Sequence, residues 1–347
     1  MPAADAEAAS PLADDEIRDL LEPFSGQPAI LLAVSGGSDS FGMLAAFARW
    51  RGLDEATPVI SVASIDHGLR PASVQECGIV MDAAARLGLP AATLHWEGAK
   101  PATGLQDAAR EARYRLLACH ARAIGASAVA TAHHREDQAE TVLMRLARGS
   151  GPLGLKGMAT TSERQGVSIL RPFLWVPKAR LAATAAAAGL EPVDDPSNAD
   201  DRYARIRIRR LMPLLAGEGL DAQRLAILAG RMRMLDEALA HQVGGVMDRC
   251  RRPSIVAGTV VMDGRAWLEE PFAVVQQLLS RVVAEVAPEG ARERLEAIEG
   301  LAGAVLMAIA GGEALRQTLQ GALVSVTADG RVIVAREPPR QLARNRG

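Results

Sequence analysis

The chain has 347 residues, of which 49% are hydrophobic and 23% are charged, and its formal net charge is -2. This length exceeds what one ordinary core holds, so we expect a catalytic domain with one or two smaller partners. The near-neutral charge excludes a uniformly basic or acidic surface, and any surface for nucleic acid must therefore be local. No run of about 18 apolar residues occurs, which argues against a membrane span.

The chain ends and the cysteines favour a cytoplasmic protein. Residues 1–20 are acidic and lack an apolar run, which excludes a signal peptide and predicts an arm that leads into a first helix. The cysteines Cys77, Cys119 and Cys250 form neither a CxxC pair nor a zinc-ligand spacing. We therefore expect buried reduced thiols, no zinc and no iron-sulfur cluster. Residues 338–347 are rich in arginine and predict a flexible tail.

Strands and helices alternate through the first half of the chain. We predict strands at 29–34, 59–65, 91–96 and 127–132, and helices at 41–50, 73–87, 105–124 and 136–147. This alternation predicts an α/β fold with a parallel, doubly wound sheet. Ligands are then expected at the carboxyl ends of the strands, where the connections diverge.

The second half of the chain has a different pattern. Residues 221–246 predict a long helix, which places a domain boundary near 215–219. Beyond it we predict strands at 254–262, 323–326 and 332–335, and helices at 272–286 and 291–307. The prediction is thus a catalytic domain over 21–215 and a mainly helical, then small α+β region over 216–337.

A glycine loop, residues 35–40, lies between the first predicted strand and helix. Its sequence is Ser-Gly-Gly-Ser-Asp-Ser, whose glycines let the backbone approach a phosphate while amide groups and the helix dipole face the anion. The lysine of a Walker loop and the dinucleotide fingerprint are both absent. The alternative is a tight turn in which Asp39 caps the helix. We predict that the loop binds a phosphate group.

Further polar residues follow two other predicted strands. Asp66 and His67 end the second strand, and Asp137 and Glu140 lie three residues apart at the start of the helix after the fourth strand. Two carboxylates are therefore expected at the ligand edge of the sheet. The alternatives are a hydrogen-bonded turn at the first pair and simple favourable charge at a helix N-terminus at the second.

Metal binding at this edge is more consistent with Mg²⁺ than with zinc. His133 and His134 are adjacent at a strand end and point to different faces, so they cannot easily share one ion. Mg²⁺ that arrives with a nucleotide needs only one or two carboxylates plus phosphate oxygens. Asp39 and Asp137 would supply them.

Arginines crowd one short segment downstream. They are Arg202, Arg205, Arg207, Arg209 and Arg210. Such a patch can neutralise phosphates of RNA even when the whole chain is slightly acidic, although a solvated helix face paired with nearby acids is the alternative. Aromatic residues make up only 3% of the chain, so backbone charge and shape must dominate over base stacking.

The motifs together resemble a known family. SGGSDS at 35–40, IDHGLR at 65–70, REARY at 110–114 and AHHREDQAET at 132–141 resemble, in order, the motif set of tRNA(Ile)-lysidine synthases, which are N-type PP-loop enzymes with a Rossmann-like sheet. A Gly-rich stretch at 148–158, RPF at 171–173 and DPSN at 195–198 extend the resemblance, which covers about 30–213. Ile206 stands where the family usually has Asn, so an amide contact to the backbone or to tRNA is expected to be missing.

The resemblance implies a two-step reaction in the cytoplasm. ATP adenylates the C2 carbonyl oxygen of the wobble cytidine in an isoleucine tRNA with a CAU anticodon. The amine of free L-lysine then displaces AMP and gives lysidine, which changes codon reading. The implied partners are this tRNA and lysine, without a membrane. A homodimer is one option for the assembly, which the sequence leaves open.

The resemblance also implies a role for each matched residue. The predicted ATP-binding residues are Ser35, Gly36, Gly37, Ser38, Asp39, Ser40, Asp66 and His67. The predicted catalytic residues are Asp39, Arg113, Asp137 and Glu140. In these roles Asp39 and Asp137 hold Mg²⁺, Arg113 lies against the α-phosphate, and Asp137 and Glu140 bind the lysine ammonium. For Arg113 the alternative is a solvated position on a charged helix face.

Other functions share some of these features. A tRNA thiolase with a PP-loop generally uses a cysteine pair or an iron-sulfur cluster, which the three cysteines do not resemble. A small-molecule synthetase with a PP-loop would not need the arginine segment. A nucleotide-sensing RNA-binding protein without catalysis would keep the loop and the basic patch, but the intact carboxylates Asp39, Asp137 and Glu140 speak against it.

Overall fold

The computed structural model describes residues 10–53, 57–70, 72–101, 103–193, 204–288 and 295–338. The chain folds into two compact units, the first made of residues 1–149 and 154–230 and the second of 150–153 and 231–347. Among the described helices, none combines the length and the apolar character that are needed to cross a membrane.

The first unit is an α/β domain. Its strands are β1 Ala29–Ala33, β2 Val59–Asp66, β3 Ala91–His95, β4 Ala128–Ala130, β5 Thr161–Arg164 and β6 Val167–Leu170. Its helices are α1 Asp14–Leu21, α2 Ser38–Leu53, α3 Ala72–Arg86, α4 Leu105–Ala123, α5 Arg135–Leu146, α6 Lys178–Ala187, α7 Ala204–Gly217 and the start of α8 Ala222–Cys250. Short 3-10 turns occur at Glu22–Phe24 and Pro152–Lys156.

The strands form one sheet in the order β3-β2-β1-β4-β6-β5. Neighbours are parallel except β5 and β6, which form an antiparallel hairpin at the edge. β2 and β3 are added on one side of β1, whereas β4 is added on its other side. The connections after β1 and β4 therefore leave in opposite directions, and the loops that follow these two strands flank a crevice at the carboxyl edge of the sheet. The predicted doubly wound parallel sheet is confirmed, and the β5–β6 hairpin is an addition that the sequence pattern did not predict.

The continuous apolar run of β1 is buried on both faces of the sheet. Ile30 and Leu32 pack into the core formed with α1, α2, α3 and α6, whereas Leu31 and Ala33 pack into the core formed with α4. Helices cover both faces of a parallel sheet because its crossover connections must return over one face or the other. The rigid centre of the domain therefore lies directly beneath the glycine loop.

Helix α1 is attached to α6 through one half-buried arginine. Arg180 bonds both oxygens of Glu16, at 2.5 and 2.6 Å, and donates to the carbonyls of Ser10 and Pro11 at 3.2 Å. The hydrogen bond with Arg180 is the main cause that lowers the pKa of Glu16 to about 2. This segment, which begins inside the predicted arm, is therefore held by charge as well as by apolar packing.

We expect this pair to make the folding stability dependent on pH. Because the folded-state pKa of Glu16 lies below its ordinary value of 4.5, its contribution is complete above pH 4.5 and is lost as the pH falls toward 2. The effect is modest because the Glu16 side chain is 39% exposed to screening solvent. Urea unfolding of wild type and Glu16→Gln tests this prediction. The two proteins should differ at neutral pH and converge in acid, and a constant difference at all pH values would contradict it.

The second unit is a small α+β domain. It contains the end of α8, the helices α9 Phe272–Val286 and α10 Leu295–Gly311, a 3-10 turn at Gly264–Glu269, and the strands β7 Arg251–Arg252, β8 Thr259–Asp263, β9 Leu315–Leu319, β10 Ala322–Val326 and β11 Arg331–Arg336. The strands form an antiparallel sheet in the order β7-β8-β11-β10-β9. One sheet face packs with α9 and α10 around Trp267. The predicted α+β C-terminal region is confirmed.

Two expectations need correction. The strand predicted at 254–262 begins only at Thr259, because residues 254–258 form bends and a turn. Cys77 and Cys250 are buried free thiols as expected, but Cys119 is exposed. It lies on the solvent side of α4, which the apolar spacing alone did not distinguish from the packed side.

Candidate active site

The glycine loop connects the end of β1 to the start of α2. Gly36 has a φ of +85°, a conformation that side-chain-bearing residues rarely adopt. The Ser35 amide donates to the Ser40 hydroxyl at 3.2 Å, and that hydroxyl donates to the Gly37 carbonyl at 2.9 Å. These bonds close the loop over the first turn of α2. The predicted phosphate site thus has the strand, loop and helix N-terminus that anion binding requires.

His134 links this loop to the opposite side of the crevice. It precedes α5, and its Nε2 lies 3.4 Å from Asp39 Oδ2 and 3.4 Å from Asp137 Oδ2. Its Nδ1 lies 3.0 Å from Glu136 Oε2. The imidazole is 3% exposed. One buried ring therefore connects three carboxylates, two of which belong to the predicted site.

The ring is positively charged at neutral pH. Burial by itself lowers the pKa of His134, but the hydrogen bonds with Asp39 and Glu136 and the charge of Asp137 together raise it to about 9. Burial likewise favours a higher pKa for Asp39, yet the bond and charge of His134, with Lys178 3.7 Å away, hold that pKa below its ordinary value. The crevice therefore contains ionised carboxylates that a cation neutralises.

The sequence pattern suggests for His134 only a zinc-ligand role and does not predict this one. His133 and His134 do point to different partners, since His133 Nδ1 bonds the Thr131 hydroxyl at 2.8 Å. The signal that was available is position: His134 ends the loop after β4, beside the loop after β1, and lies three residues before Asp137. A residue at that place at a topological switch point faces both loops.

The carboxylates of Asp39 and Asp137 suit a divalent cation that is bound together with a nucleotide. Both approach the same ring nitrogen of His134, so their oxygens converge. Mg²⁺ takes few protein ligands and completes its shell with phosphate oxygens and water. Within the described residues, no group of three or more His, Cys, Asp or Glu side chains could hold a metal ion alone. The donor set therefore fits Mg²⁺ that arrives on phosphates.

A second group of side chains combines arginines with two neutral histidines. Desolvation is the main cause that lowers the pKa of Arg113, with Arg110 adding to it. Burial and then the charges of Arg171 and Arg113 hold the pKa of His133 well below its ordinary value, and burial and Arg113 lower that of His67. In the described parts of the chain, no carboxylate lies within ion-pair distance of Arg113. Its guanidinium, beside two neutral imidazoles, is suited to an anionic ligand.

Asp66 organises the loop after β2. It accepts hydrogen bonds from the Gly68 amide at 2.8 Å and from the Ser73 hydroxyl, and it lies 3.3 Å from His95 Nδ1. The Ser73 bond is the main cause that lowers the pKa of Asp66. The carboxylate thus remains ionised and fixes the turn that carries His67. Its contact with ATP stays a prediction.

Glu140 joins α5 to the arginine-rich helix α7. The carboxylate is 2% exposed, with Oε2 3.0 Å from Arg205 Nε and Oε1 2.7 Å from Arg209 Nε. Apolar residues of α5, α7 and α8, among them Leu143 and Leu225, pack alongside. Both carboxylate oxygens face arginines in this conformation. The lysine-binding role of Glu140 stays a prediction, and Arg202 lies outside the described residues.

We expect Glu140 to control the local stability of α7. In Glu140→Gln the side chain keeps its size but loses the charge that compensates two arginines, and hydrogen bonds to charged groups contribute about 1.5–3 kcal/mol. Amide hydrogen exchange in α7 should therefore accelerate, while exchange in β1 stays slow. Equal exchange of α7 in both proteins would show that apolar packing alone holds this helix.

The Gly-rich stretch is held by α5 as well. The carboxamide of Gln138, which is fully buried, donates to the Met158 carbonyl at 2.8 Å and accepts from the Met158 amide at 2.6 Å. Arg145 donates to the carbonyls of Gly154 and Gly157 at 2.7 and 2.9 Å. Gln138 carries no distinctive signal in the sequence, because its role depends on a backbone segment twenty residues later. One helix thus positions Asp137, Glu140 and this loop.

Comparison with known families agrees with this geometry. A family model described as a PP-loop domain matches residues 10–215, which is more than half of the chain. The U34-tRNA thiolase NcsA from Methanococcus maripaludis has a similar fold, with a TM-score of 0.53 at 15% identity over 64% of this chain and 78% of that chain. At this identity the similarity concerns the fold alone.

Relatives that match nearly the whole chain identify one family within the PP-loop proteins. The tRNA(Ile)-lysidine synthase of Methylobacterium nodulans is 48% identical over 340 residues, which cover 96% of this chain and 99% of the relative. The one from Rhodopseudomonas palustris is 46% identical over 332 residues, which cover 94% and 95% of the two chains. These matches extend through both units and confirm the predicted resemblance. The chain belongs to the tRNA(Ile)-lysidine synthase family of PP-loop proteins.

Proposed function

We propose that this chain is an ATP-dependent ligase that joins L-lysine to C2 of the wobble cytidine in an isoleucine tRNA with a CAU anticodon. The observation that carries the proposal is the match at 48% identity to a tRNA(Ile)-lysidine synthase over nearly the full length of both chains. The crevice supports it, because the glycine loop precedes a helix N-terminus there and Asp39 and Asp137 both approach His134. Arg113 in addition has no carboxylate partner among the described residues.

In the first step the base is activated. The glycine loop holds the β- and γ-phosphates of ATP, and Arg113 lies against the α-phosphate. The C2 carbonyl oxygen of cytidine attacks the α-phosphorus, the bond to the bridging oxygen of the β-phosphate breaks, and pyrophosphate leaves. Asp39 and Asp137 would hold Mg²⁺, which neutralises charge on the leaving group. Both carboxylates must be ionised for this role, as Asp39 is.

In the second step lysine replaces AMP. The lysine ammonium first gives one proton to a neighbouring carboxylate, and the neutral amine then attacks C2. The bond between C2 and the oxygen that carries AMP breaks, AMP leaves with that oxygen, and the new C–N group releases a second proton to water. In the proposal Asp137 and Glu140 bind the lysine ammonium and bring it to the base. For Glu140 this requires that Arg205 or Arg209 moves from the carboxylate. The net products are lysidine, AMP and pyrophosphate.

The arginine segment provides the tRNA contact in this proposal. Helix α7 carries Arg205, Arg207, Arg209 and Arg210 next to the crevice, and Arg202 precedes it in the sequence. Arginine pairs with phosphate oxygens through two parallel hydrogen bonds, which gives geometric specificity as well as charge. A homodimer and a cytoplasmic location remain predictions.

Arg113→Met should separate base activation from tRNA binding. We expect release of pyrophosphate to slow by a factor on the order of 10² because developing charge on the α-phosphate loses its partner. The affinity for tRNA should change little, since the loss concerns one half-buried side chain outside the arginine segment. Arg18→Met, on the exposed face of α1, is the matched control. Unchanged pyrophosphate release in Arg113→Met would remove this residue from the proposed site.

The proposal is tested by incubation of the purified protein with ATP, Mg²⁺, radiolabelled lysine and unmodified isoleucine tRNA that bears a CAU anticodon. We expect label in the tRNA that depends on ATP and is absent with Asp137→Asn. Asp82→Asn, an exposed carboxylate of α3, serves as the control and should retain activity. If the wild type binds ATP and tRNA yet incorporates no label, the lysidine reaction is excluded.

A further inference from the structure

Helices α5 and α7 form an open cleft of about 620 Å³ beside the active site. Its floor is apolar and is made by Met144 from α5 and by Ile208 and Leu211 from α7. Its rim is basic and consists of Arg148, Arg207 and Arg210. We name this feature the α5–α7 cleft. The roles proposed above for lysine and ATP do not use it.

The cleft continues directly from the active site along α5. Glu140 and Met144 are four residues apart and therefore share a face of α5. Asp137 precedes Met144 by seven residues, which corresponds to about 10 Å along the helix axis. A nucleotide that neighbours the reacting cytidine in the same RNA loop can therefore reach the cleft.

One face of α7 contacts Glu140, and another face lines the cleft. Arg205 and Arg209, one turn apart, form ion pairs with the buried Glu140 carboxylate, and Arg209 also donates a hydrogen bond to it. Arg207 and Leu211, also one turn apart, face the cleft instead. The apolar floor is therefore presented by a helix that Glu140 anchors through the opposite set of arginines.

This combination of an apolar floor and a basic rim suits an unstacked nucleobase with its flanking phosphates. Single-stranded RNA loops are recognised by bases that are splayed out onto flat or apolar side chains and onto guanidinium planes. Among the described residues that line the cleft none is aromatic, and methionine, leucine and arginine provide these contacts. Arg148 is exposed and has no carboxylate partner in the portion of the chain that the structure describes.

We infer that the α5–α7 cleft binds one nucleobase of the anticodon loop that is different from the base being modified. Arg148, together with Arg207 and Arg210, contacts the phosphates on either side of this base. The inference rests on the proposed function, because it takes the tRNA anticodon loop as the ligand. Its consequence is that part of the substrate specificity is read outside the catalytic crevice.

The test combines abasic tRNAs with cleft variants. A set of CAU-anticodon tRNAs, each lacking one base of the anticodon loop, is titrated against wild type and against a Met144→Ala, Leu211→Ala double variant. In the wild type, one position other than the wobble cytidine should weaken binding by about tenfold to a hundredfold when its base is removed, as expected for loss of one base contact. In the double variant this penalty should fall to less than about threefold, because the contact is already lost.

The matched control is a Leu146→Ala, Leu214→Ala double variant. These leucines lie on the same two helices, are 53% and 71% exposed, and do not line the cleft. The control should keep the full penalty of the wild type. Equal penalties in all three proteins at every loop position would overturn the inference.

Lysine transfer to the intact tRNA, measured in parallel, separates this inference from the proposed function. If wild type transfers lysine and the penalties are equal, only the cleft assignment fails. If wild type transfers no lysine yet binds the tRNA with a cleft-dependent penalty, the cleft assignment stands and the proposed reaction fails. Arg148→Gln provides a second measurement. Removal of one phosphate contact should reduce the slope of the logarithm of the tRNA binding constant against the logarithm of salt concentration by about one.

Discussion

Asp39→Asn is expected to reduce lysine transfer by a factor on the order of 10² to 10³ while the fold is retained. The substitution keeps the shape of the side chain but removes the charge that faces His134 Nε2 at 3.4 Å and Lys178 Nζ at 3.7 Å. It also removes one of the two carboxylates proposed to hold Mg²⁺. The loss should appear in pyrophosphate release, which reports base activation, as well as in lysine transfer.

The control for this prediction is Asp15→Asn, an exposed carboxylate in the first turn of α1. It should leave both rates at the wild-type level. Circular dichroism and urea unfolding of the two variants show whether the effect is catalytic. Wild-type activity of Asp39→Asn, or loss of activity that follows only from unfolding, would contradict the assignment of Asp39.

Gly42→Ala is expected to lower the free energy of unfolding by about 1–3 kcal/mol, the range of overpacked core positions. Gly42 lies in α2 where this helix meets α6, and an added Cβ would lie 2.3 Å from the Leu181 carbonyl oxygen. Since the obstacle is backbone, the two helices would have to separate. In an unobstructed helix interior the same substitution raises the free energy of unfolding by up to about 1 kcal/mol. A decrease instead of an increase therefore shows that the added Cβ meets an obstacle.

Gly52→Ala in the same helix provides the comparison. An added Cβ at Gly52 meets no atom within 4 Å. Urea unfolding should therefore show Gly52→Ala as neutral or slightly stabilising and Gly42→Ala as strongly destabilising. Two equal values would mean that α2 and α6 can adjust their spacing at little cost. Because α2 begins with the glycine loop, Gly42→Ala should also weaken ATP binding.

The elements with a strong local signal were predictable from the sequence. The apolar run of β1, the glycine loop and the helix that follows it are consecutive in the chain, and their pattern alone predicted a phosphate site. The parallel order of β1 to β4 followed from the alternation of strands and helices. By contrast, β5 and β9 have exposed, polar sequences, and their pairing is determined by neighbours that are distant in the chain.

The contacts within the site were less predictable than its members. Asp39 and Asp137 were identified, but the histidine between them was not, because its protonation results from carboxylates that converge only in the fold. Glu140 was identified as an acidic residue at the ligand edge, whereas its two arginine partners lie on a helix more than sixty residues later. The spacing of residues along the sequence predicts which of them share a face of one helix, but it does not predict which other helix packs against that face.

The most direct test of the proposed reaction is its product balance. Wild-type protein is supplied with ATP, Mg²⁺, lysine and isoleucine tRNA with a CAU anticodon, and incorporated lysine, AMP and pyrophosphate are quantified together. We predict equal amounts of all three, with none formed on the same tRNA when its wobble cytidine is replaced by guanosine. AMP and pyrophosphate without incorporated lysine, or equal incorporation into both tRNAs, would contradict the assignment of this chain as the ligase that modifies the wobble base.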